Sequence, residues 1–322
     1  MARVTAPRES ASSTALGLMA VVAATAIWSF GAVLGKAVDA PGVVTAVWRL
    51  WMGSILWWVV ALVAGQLPDR RAFRVAAPAG ALFGLNLTLF FTALQHTTVA
   101  NASIIGALTP VAMLPLAVGL LHERLDVIKV SCALLAVAGV VAAVLTVPSG
   151  GSGQGRSNLG DGLAVGSLVF WVWYLLATKQ ARREIGTVPL LAAATTVAAV
   201  LVTPLAVFGD YDLGAISGRG WWFLILLTVG PGALGHWLVA WAQRHVDASV
   251  SSVLLQGEPV GATFAAALFL GEALGRWQIL AMGVVVIALI ILGLHSRTAG
   301  SAPTWDGVST APRSPPTGRT SR

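Results

Sequence analysis

Charged residues are scarce in this sequence of 322 residues. Asp, Glu, Lys and Arg together make up 10% of it, whereas a typical water-soluble domain has about 25%. So few charges cannot cover the surface of a globule of this size, which excludes a soluble enzyme, a disordered protein and a fibrous protein. Hydrophobic residues account for 57% of the chain, and the mean hydropathy is +0.81. The sequence therefore predicts that lipid surrounds most of the chain.

The sequence also has almost no cysteine and no P-loop motif for nucleotide binding. The single cysteine, Cys132, lies in an apolar stretch, which excludes a disulfide framework and a cysteine-based zinc site. Neither GxxxxGKS nor GxxxxGKT occurs, so the chain has no P-loop with which to use ATP. The net charge of +7 does not indicate binding to nucleic acid, because the basic residues lie between apolar blocks. We predict no cofactor, no metal and no nucleic-acid partner.

Long apolar segments make up most of the chain. A membrane-spanning helix needs about 20 mostly apolar residues, and charges or Gly and Pro clusters separate ten segments of about that length. They are residues 16–36, 41–64, 75–95, 98–121, 127–147, 160–179, 187–208, 221–243, 248–270 and 277–295. The sequence thus predicts an all-α integral membrane protein with ten transmembrane helices. We interpret residues 1–15 as an N-terminal tail, 148–159 as a Gly-rich outer linker and 296–322 as a disordered C-terminal tail.

The positions of the basic residues predict the orientation of these helices. If the N-terminus is cytoplasmic, fifteen of the 20 Lys and Arg residues fall on the inner side, and four fall on the outer side: Lys36, Arg156, Arg219 and Arg276. Basic residues favour the cytoplasmic side of a membrane. We therefore expect a multi-pass protein of the cell (inner) membrane with both termini in the cytoplasm.

The chain contains an internal repeat. A shift of 149 residues aligns Pro110 with Pro259 and Glu123 with Glu272, and a shift of 143 aligns Trp28 with Trp171 and Lys36 with Lys179. Each half, 16–147 and 160–295, then has five helices, and an odd number gives the two copies opposite orientations. Inverted repeats are a recurring plan of secondary transporters, in which the substrate site lies near the middle of the membrane where the repeats meet.

Several segments of the sequence resemble the EamA-type branch of the drug/metabolite transporter superfamily. They are ALTPVAMLPLAVGLLHERL (107–125), LLQGEPVGATFAAALFLGEAL (254–274), AIWSFGAVLGK in the first helix, and AVWRLWMGSILWW with its lone Arg in the second. The resemblance covers residues 16–295. It implies ten helices in two inverted repeats, alternating access, and transport of small metabolites such as amino acids, nucleosides, sugars or toxic compounds. The related small multidrug proteins carry a coupling Glu in their first helix, whereas residues 16–36 contain no carboxylate.

Two charged residues lie near the middle of predicted helices, where a charge is costly and tends to be functional. These are Arg49 and Glu258. One hypothesis is that both face a central cavity, Glu258 loading a proton or binding a substrate cation and Arg49 holding a carboxylate or phosphate. The alternative is that they form an interhelical ion pair or a structural anchor. Glu123 and Glu272, at helix ends, are interpreted as helix-end or loop anchors.

Two prolines interrupt the backbone hydrogen bonding of predicted helices. Pro110 and Pro259 each remove an N–H, which leaves the carbonyl groups of Gly106 and Leu255 without their usual partners. Such groups persist in a membrane only where protein or a water-filled cavity satisfies them. We therefore predict two kinked helices facing the centre, although the prolines could equally serve only to shape the bundle. Nearby polar residues are candidates to line the cavity: Thr109, Asn101 and Gln256, together with Glu258.

Aromatic and polar residues inside predicted helices are further candidates. Trp28, Trp171 and Trp173 could stack on a flat or cationic ligand or simply pack. Tyr174, Asn86 and His236 need hydrogen-bond partners in lipid, and a lone His236 is more often a satisfied core residue than a ligand-binding one.

The leading hypothesis is a secondary transporter in which the two halves rock around a central cavity. Its partners would be a small-molecule substrate, the lipid bilayer and protons as a candidate coupling ion, and the chain would act as a monomer or homodimer. An intramembrane enzyme is the first alternative, but neither GxSxG nor HExxH occurs. A sensor or scaffold is the second, and it would more naturally carry a sizeable extramembrane domain.

Overall fold

A computed structural model describes residues 11–97, 102, 105–123, 125–145, 158–270 and 275–301. All regular secondary structure in this part of the chain is helical. Seven of its helical segments are long and apolar enough to cross a membrane, and Thr109–Leu121 and Val127–Ala143 are shorter apolar helices. The predicted all-α membrane fold is therefore confirmed for the described residues, while the count of ten helices remains a prediction.

The described residues of the first repeat form six α-helices. They are α1 (Ala11–Trp28), α2 (Gly31–Ala37), α3 (Gly42–Val63), α4 (Arg70–His96), α5 (Thr109–Leu121) and α6 (Val127–Leu145). Helix α4 begins earlier than the predicted 75 because Asp69 caps it, its Oδ1 accepting the Ala72 N–H at 2.7 Å. An N-cap carboxylate satisfies one of the free N–H groups at a helix start.

Seven α-helices and one π-helical segment are formed by the part of the second repeat that the structure describes. They are α7 (Asn158–Ala181), α8 (Thr187–Phe208), α9 (Gly218–Leu227), the π-helix Thr228–Gly235, α10 (His236–Ala242), α11 (Ala248–Leu254), α12 (Gly257–Leu270) and α13 (Arg276–Ser301). Two elements extend into segments predicted as tails. Helix α1 begins within 1–15 and α13 runs on within 296–322, because both continue apolar helices.

Both proline-containing segments are broken helices. The chain turns at Ala107–Leu108 and at Leu255–Gln256, and each proline lies in the first turn of the helix that follows, α5 or α12. A proline there costs little, because the first N–H groups of a helix have no intrahelical partner. The helical pattern is thus interrupted by a two-residue turn just before each of these prolines.

The helices of the two repeats interleave. The most extensive packing of α4 is against α7 and α8 of the other repeat, α3 also packs on α8, and α6 packs on α13. Small residues allow close approach: a Cβ on Gly80 of α4 would lie 2.5 Å from the Ala194 carbonyl oxygen of α8. The two sequence halves therefore do not form separate bodies, and rocking of one half against the other does not fit this packing. We refer to α3, α4, α7 and α8 as the four-helix group.

Candidate substrate cavity

A cavity of about 240 Å³ lies in the centre of the bundle. The first repeat contributes α1 to α4 and the segment before α5 to its wall. The second repeat contributes α7, the π-helix, α10 and the residues on both sides of the break before α12. Most of the sequence-predicted candidates line it: Trp28, Arg49, Asn86, Thr109, Trp171, His236, Gln256 and Glu258, with Pro259 beside them. The long-range packing thus brings together residues from both repeats at one site.

Arg49 is a buried charge without a hydrogen-bonded partner among the described residues. Its side chain is on α3, the residue is 7% exposed, and its Nε is buried without a hydrogen-bond acceptor. The guanidinium carbon lies 5.5 Å from the centre of the Phe91 ring, a cation–π distance. No carboxylate oxygen of the described residues lies within 4.0 Å of a nitrogen of the Arg49 guanidinium. The ring stabilises the charge only in part, so the guanidinium can still bind an anion.

Glu258 places a carboxylate on the cavity wall at the start of α12. It lies in the first turn of that helix, where the helix dipole favours a negative charge. The residue is half-buried, and the ion pairs of the described residues do not include it. Its backbone carbonyl accepts the Ser29 hydroxyl at 3.3 Å, which joins α12 to the break after α1. Glu258 and Arg49 make no contact within 4.0 Å, although the two groups are close enough to interact electrostatically.

The backbone at the two breaks is satisfied locally. The Thr109 hydroxyl donates to the Gly106 carbonyl at 2.7 Å, and the Glu258 N–H donates to the Leu255 carbonyl at 3.0 Å. Thr109 and Gln256 are both buried, at 4% exposure each. The carbonyls that the prolines were expected to leave free thus have partners within the same turn.

Asn86 has a structural role in addition to its place on the wall. Its Nδ2 donates to the backbone oxygen and to the hydroxyl of Ser167, both at 2.9 Å. These bonds join α4 to α7 inside the four-helix group. The amide nitrogen is therefore already used in helix packing.

Aromatic rings form one side of the cavity. Trp28 and Trp171, equivalent in the sequence repeat, meet edge to face at 5.5 Å between ring centres. His236 lies 4.9 Å from Trp28 and 4.6 Å from Phe83. Its Nδ1 is 3.2 Å from the Tyr174 hydroxyl, so the imidazole has a hydrogen-bond partner in the core.

The π-helix positions Trp28. Its wider turns leave backbone groups out of the usual α-helical ladder, and the Trp28 Nε1–H donates to the Pro231 carbonyl at 2.8 Å. This approach requires a glycine one turn later, since a Cβ on Gly235 would lie 2.2 Å from Trp28 Nε1. In the sequence, this segment is marked by the tripeptide GPG at residues 230–232, which the predicted helix 221–243 does not take into account.

We expect Gly235→Ala to displace Trp28 and to destabilise the protein by about 1–3 kcal/mol, the usual cost of overpacking. Gly230→Ala in the same π-helix is the matched control, because its Cβ would meet only Ile27 Cγ2 at 3.9 Å. Thermal unfolding in detergent, followed by tryptophan fluorescence, measures both. Equal unfolding midpoints for the two variants would contradict this account of Gly235.

Some predicted site residues lie elsewhere. Trp173 is 43% exposed and is not on the cavity wall, because two residues along a helix turn a side chain by about 200° from Trp171. Tyr174 lies behind the wall at 2% exposure, and Pro110 is also off the wall. Asn101 lies outside the described residues. Several wall residues were not predicted: Leu87, Phe90, Phe91, Leu94, Ala164, Ser167 and Pro231.

Metal ligation finds no support in the described part of the chain. It contains no group of three or more His, Cys, Asp or Glu side chains arranged to hold a metal ion.

Comparison with known proteins identifies the family. The model of the EamA-like transporter family matches twice, at residues 15–145 and 158–294. The chain belongs to this family. The resemblance drawn from the sequence motifs is therefore confirmed, and the EamA-like chain is a multi-pass membrane protein of the drug/metabolite transporter type.

Individual relatives of this EamA-like chain agree with the assignment. It is 28% identical over 219 residues to proteins of Escherichia coli K12 and Shigella flexneri that carry the name "Uncharacterized inner membrane transporter YhbE". The alignment covers 63% of this chain and 66% of each relative's length. A crystal structure of another protein matches 90% of this chain and all of its own length, with a TM-score of 0.72 and 21% identity. That likeness supports the fold alone.

Proposed function

We propose that the chain is a secondary active transporter of small metabolites, either amino-acid-like or drug-like compounds, in the inner membrane. It works by alternating access around the central cavity, and protons are the candidate coupling ion. The observation that carries the proposal is a central cavity whose wall presents the Arg49 guanidinium and the Glu258 carboxyl group, neither of which is in an ion pair among the described residues, in a chain of a transporter family. The inner membrane location is supported by the name of the YhbE relatives.

The proposed architecture is ten helices in two inverted five-helix repeats, 16–147 and 160–295, with both termini in the cytoplasm. The two family matches support it, since they divide the chain at the same linker. The broken segments before α5 and α12 also correspond in the sequence repeat. In two repeats related by a pseudo-two-fold axis, equivalent residues that touch each other lie beside that axis. The contact between Trp28 and Trp171, whose ring centres are 5.5 Å apart, supports such an arrangement. The axis then passes next to the cavity, as expected for this class of transporter.

The wall chemistry favours a ligand with an anionic group and a flat apolar part. Arg49 would bind a carboxylate or phosphate, while Trp28 and Trp171 offer ring surfaces. Glu258 would take either a cationic group of the ligand or the coupling proton. An intramembrane enzyme is the weaker candidate because it needs a nucleophile, base or metal constellation, and the charged groups on the wall are one arginine and one carboxylate.

Ligand stabilisation followed by transport tests the proposal. Purified protein is screened by thermal unfolding against amino acids, nucleosides, sugars and aromatic cations, since a ligand of the folded state raises the midpoint. A stabilising compound is then offered, radiolabelled, to proteoliposomes. We expect it to accumulate inside and to be recovered chemically unchanged.

Protein-free liposomes are the control for leakage. Recovery of a chemically altered compound would favour the enzyme, and stabilisation without any passage across the membrane would favour a sensor.

A further inference from the structure

A buried lysine at the end of α7 joins the two sides of the molecule. The Lys179 side chain is 11% exposed, and its Nζ lies 3.6 Å from Glu123 Oε1. The same Nζ donates to the backbone carbonyls of Val246 at 2.5 Å and Gln243 at 3.3 Å. The Lys179 ammonium group is therefore held by three acceptors, which come from two different segments of the chain.

Glu123 is fixed in turn by the start of α11. Its Oε1 accepts the Ala248 N–H at 2.7 Å, and its Oε2 accepts the Ser249 N–H at 3.1 Å and the Ser249 hydroxyl at 2.7 Å. The Glu123 side chain is 4% exposed. The predicted role of Glu123 as an anchor thus has a specific form: it connects the α5–α6 turn to α11 and supplies the counter-charge for Lys179.

These contacts cross from the four-helix group to the remaining helices. Lys179 belongs to α7 of that group, whereas Glu123, Gln243 and Val246 lie outside it. Arg182, one turn further, makes a second crossing, its Nε donating to the Ala240 carbonyl at 3.0 Å. Burial and the neighbouring Arg244 lower the pKa of Arg182 to about 10, so it keeps its charge at neutral pH.

The crossing lies beyond one end of the cavity. On α7, Trp171 is on the cavity wall, and Lys179 follows eight residues later, which is about 12 Å along a helix. On α4, the wall residues continue to Leu94, close to the opposite end of the bundle. The cavity therefore extends away from Lys179, and the contacts of Lys179 and Glu123 close the end that the sequence predicts to be cytoplasmic.

Polar side chains without partners are buried near this closed end. Both side-chain atoms of Gln243 and the hydroxyl of Ser251 are buried without a hydrogen bond among the described residues, at 1% and 0% exposure. Leaving such groups unsatisfied is costly, and each one needs an explanation. If water enters this end of the molecule in another conformation, it can hydrogen-bond to Gln243 and Ser251 there, which would explain why polar residues occupy these positions.

In the sequence repeat the counterparts of Lys179 and Glu123 are Lys36 and Glu272, so the other repeat has the same pair of residue types.

We propose that Lys179, held by Glu123 and the carbonyls of Gln243 and Val246, is the latch that closes the cytoplasmic end of the transport path, and that its release exposes Gln243 and Ser251. The inference rests on the proposed alternating access. The structure then represents the state in which the cavity is directed outward.

Cysteine labelling tests the latch without knowledge of the substrate. Ser251→Cys and Ala164→Cys, a cavity-wall position on the other side, are made separately in a Cys132→Ala background. A membrane-impermeant thiol reagent is applied from either side of membrane vesicles. We expect Lys179→Met to raise cytoplasmic labelling of Ser251→Cys about tenfold, the equivalent of one hydrogen bond to a charged group, and to lower external labelling of Ala164→Cys.

Glu123→Gln is the second latch variant and is expected to shift both labelling rates in the same directions, by less. Arg71→Ala is the matched control. It breaks an ion pair with Glu184 in which both side chains are exposed, and it should change neither labelling rate. If both cysteines react in the parent protein and Lys179→Met leaves their rates unchanged, the latch is wrong. If Ser251→Cys reacts from neither side in any variant, release of Lys179 does not expose Ser251 and the latch is wrong, whereas alternating access is tested separately by accumulation of substrate in proteoliposomes. Faster labelling of both cysteines would show general loosening and would also overturn the latch.

Discussion

Arg49→Met is expected to reduce transport by roughly 10- to 100-fold, the range for loss of a hydrogen bond to a charged group, while leaving the protein at least as stable as before. Both effects follow from the position of the guanidinium. It is 7% exposed, its Nε has no hydrogen-bond acceptor among the described residues, and its guanidinium carbon lies 5.5 Å from the centre of the Phe91 ring. Replacing an unpaired buried charge by an apolar side chain of similar size is often neutral or stabilising. A purely structural arginine would show the reverse combination, with lower stability and lower transport together.

The measurement combines uptake into proteoliposomes with the midpoint of thermal unfolding. Arg219→Met is the matched control, because Arg219 also lies 5.5 Å from a phenylalanine ring, that of Phe223, but is exposed and away from the cavity. We expect it to transport normally. Arg49→Lys keeps the charge without the planar fork that binds carboxylates in two places, and it should restore part of the activity. Normal transport by Arg49→Met would remove Arg49 from the substrate site.

The sequence predicted the charged members of the site because they are rare where they occur. A charge in the middle of an apolar helix is expensive, so Arg49 and Glu258 stand out from their neighbours without any knowledge of the fold. The repeat added a second signal by pairing Pro110 with Pro259 and Trp28 with Trp171. The structure places Trp28, Trp171 and both charges around one cavity.

The apolar members of the site could not be predicted in the same way. In a membrane protein, an apolar side chain is equally suited to lipid, to a helix interface or to a cavity wall, so Phe90, Phe91 and Leu94 carry no distinguishing signal in the sequence. Trp173 shows the converse error. Its residue type suggested a binding role, and only helix geometry places it on the outside.

Which helices of one repeat pack on which helices of the other could not be predicted from the sequence either. The linear order suggested two bodies of five helices, but α4 packs on α7 and α8, and α6 on α13. Such contacts depend on the fit of distant surfaces. The moving parts are therefore better sought at the boundary of the four-helix group, where Lys179 and Glu123 meet, than at the linker between the repeats.

Glu258→Gln is expected to abolish proton-driven accumulation while leaving exchange of substrate across the membrane. Glu258 lies on the cavity wall and is in no ion pair among the described residues, and its counterpart in the repeat alignment is Thr109, which cannot titrate. The other titratable or charged groups facing this part of the cavity are Arg49 on α3 and His236 on α10, with Tyr174 behind the latter. Arg49 stays charged near neutral pH, and His236 is bonded to Tyr174. Glu258 is therefore the group best placed to exchange a proton with water in the cavity.

Transport is measured in proteoliposomes with a pH gradient, and exchange with equal pH on both sides, over pH 5.5–8.5. Glutamine keeps the size and hydrogen-bonding capacity of the side chain but cannot gain or lose the proton, so exchange by Glu258→Gln should become independent of pH. His236→Gln tests the other candidate: it should lower the rate, because it disturbs the aromatic wall, but retain the pH dependence. If Glu258→Gln kept the full pH dependence and His236→Gln lost it, the coupling group would be His236. If both variants kept it, protons would not be coupled through the cavity, and Glu258 would be left with a role in binding a cationic part of the substrate.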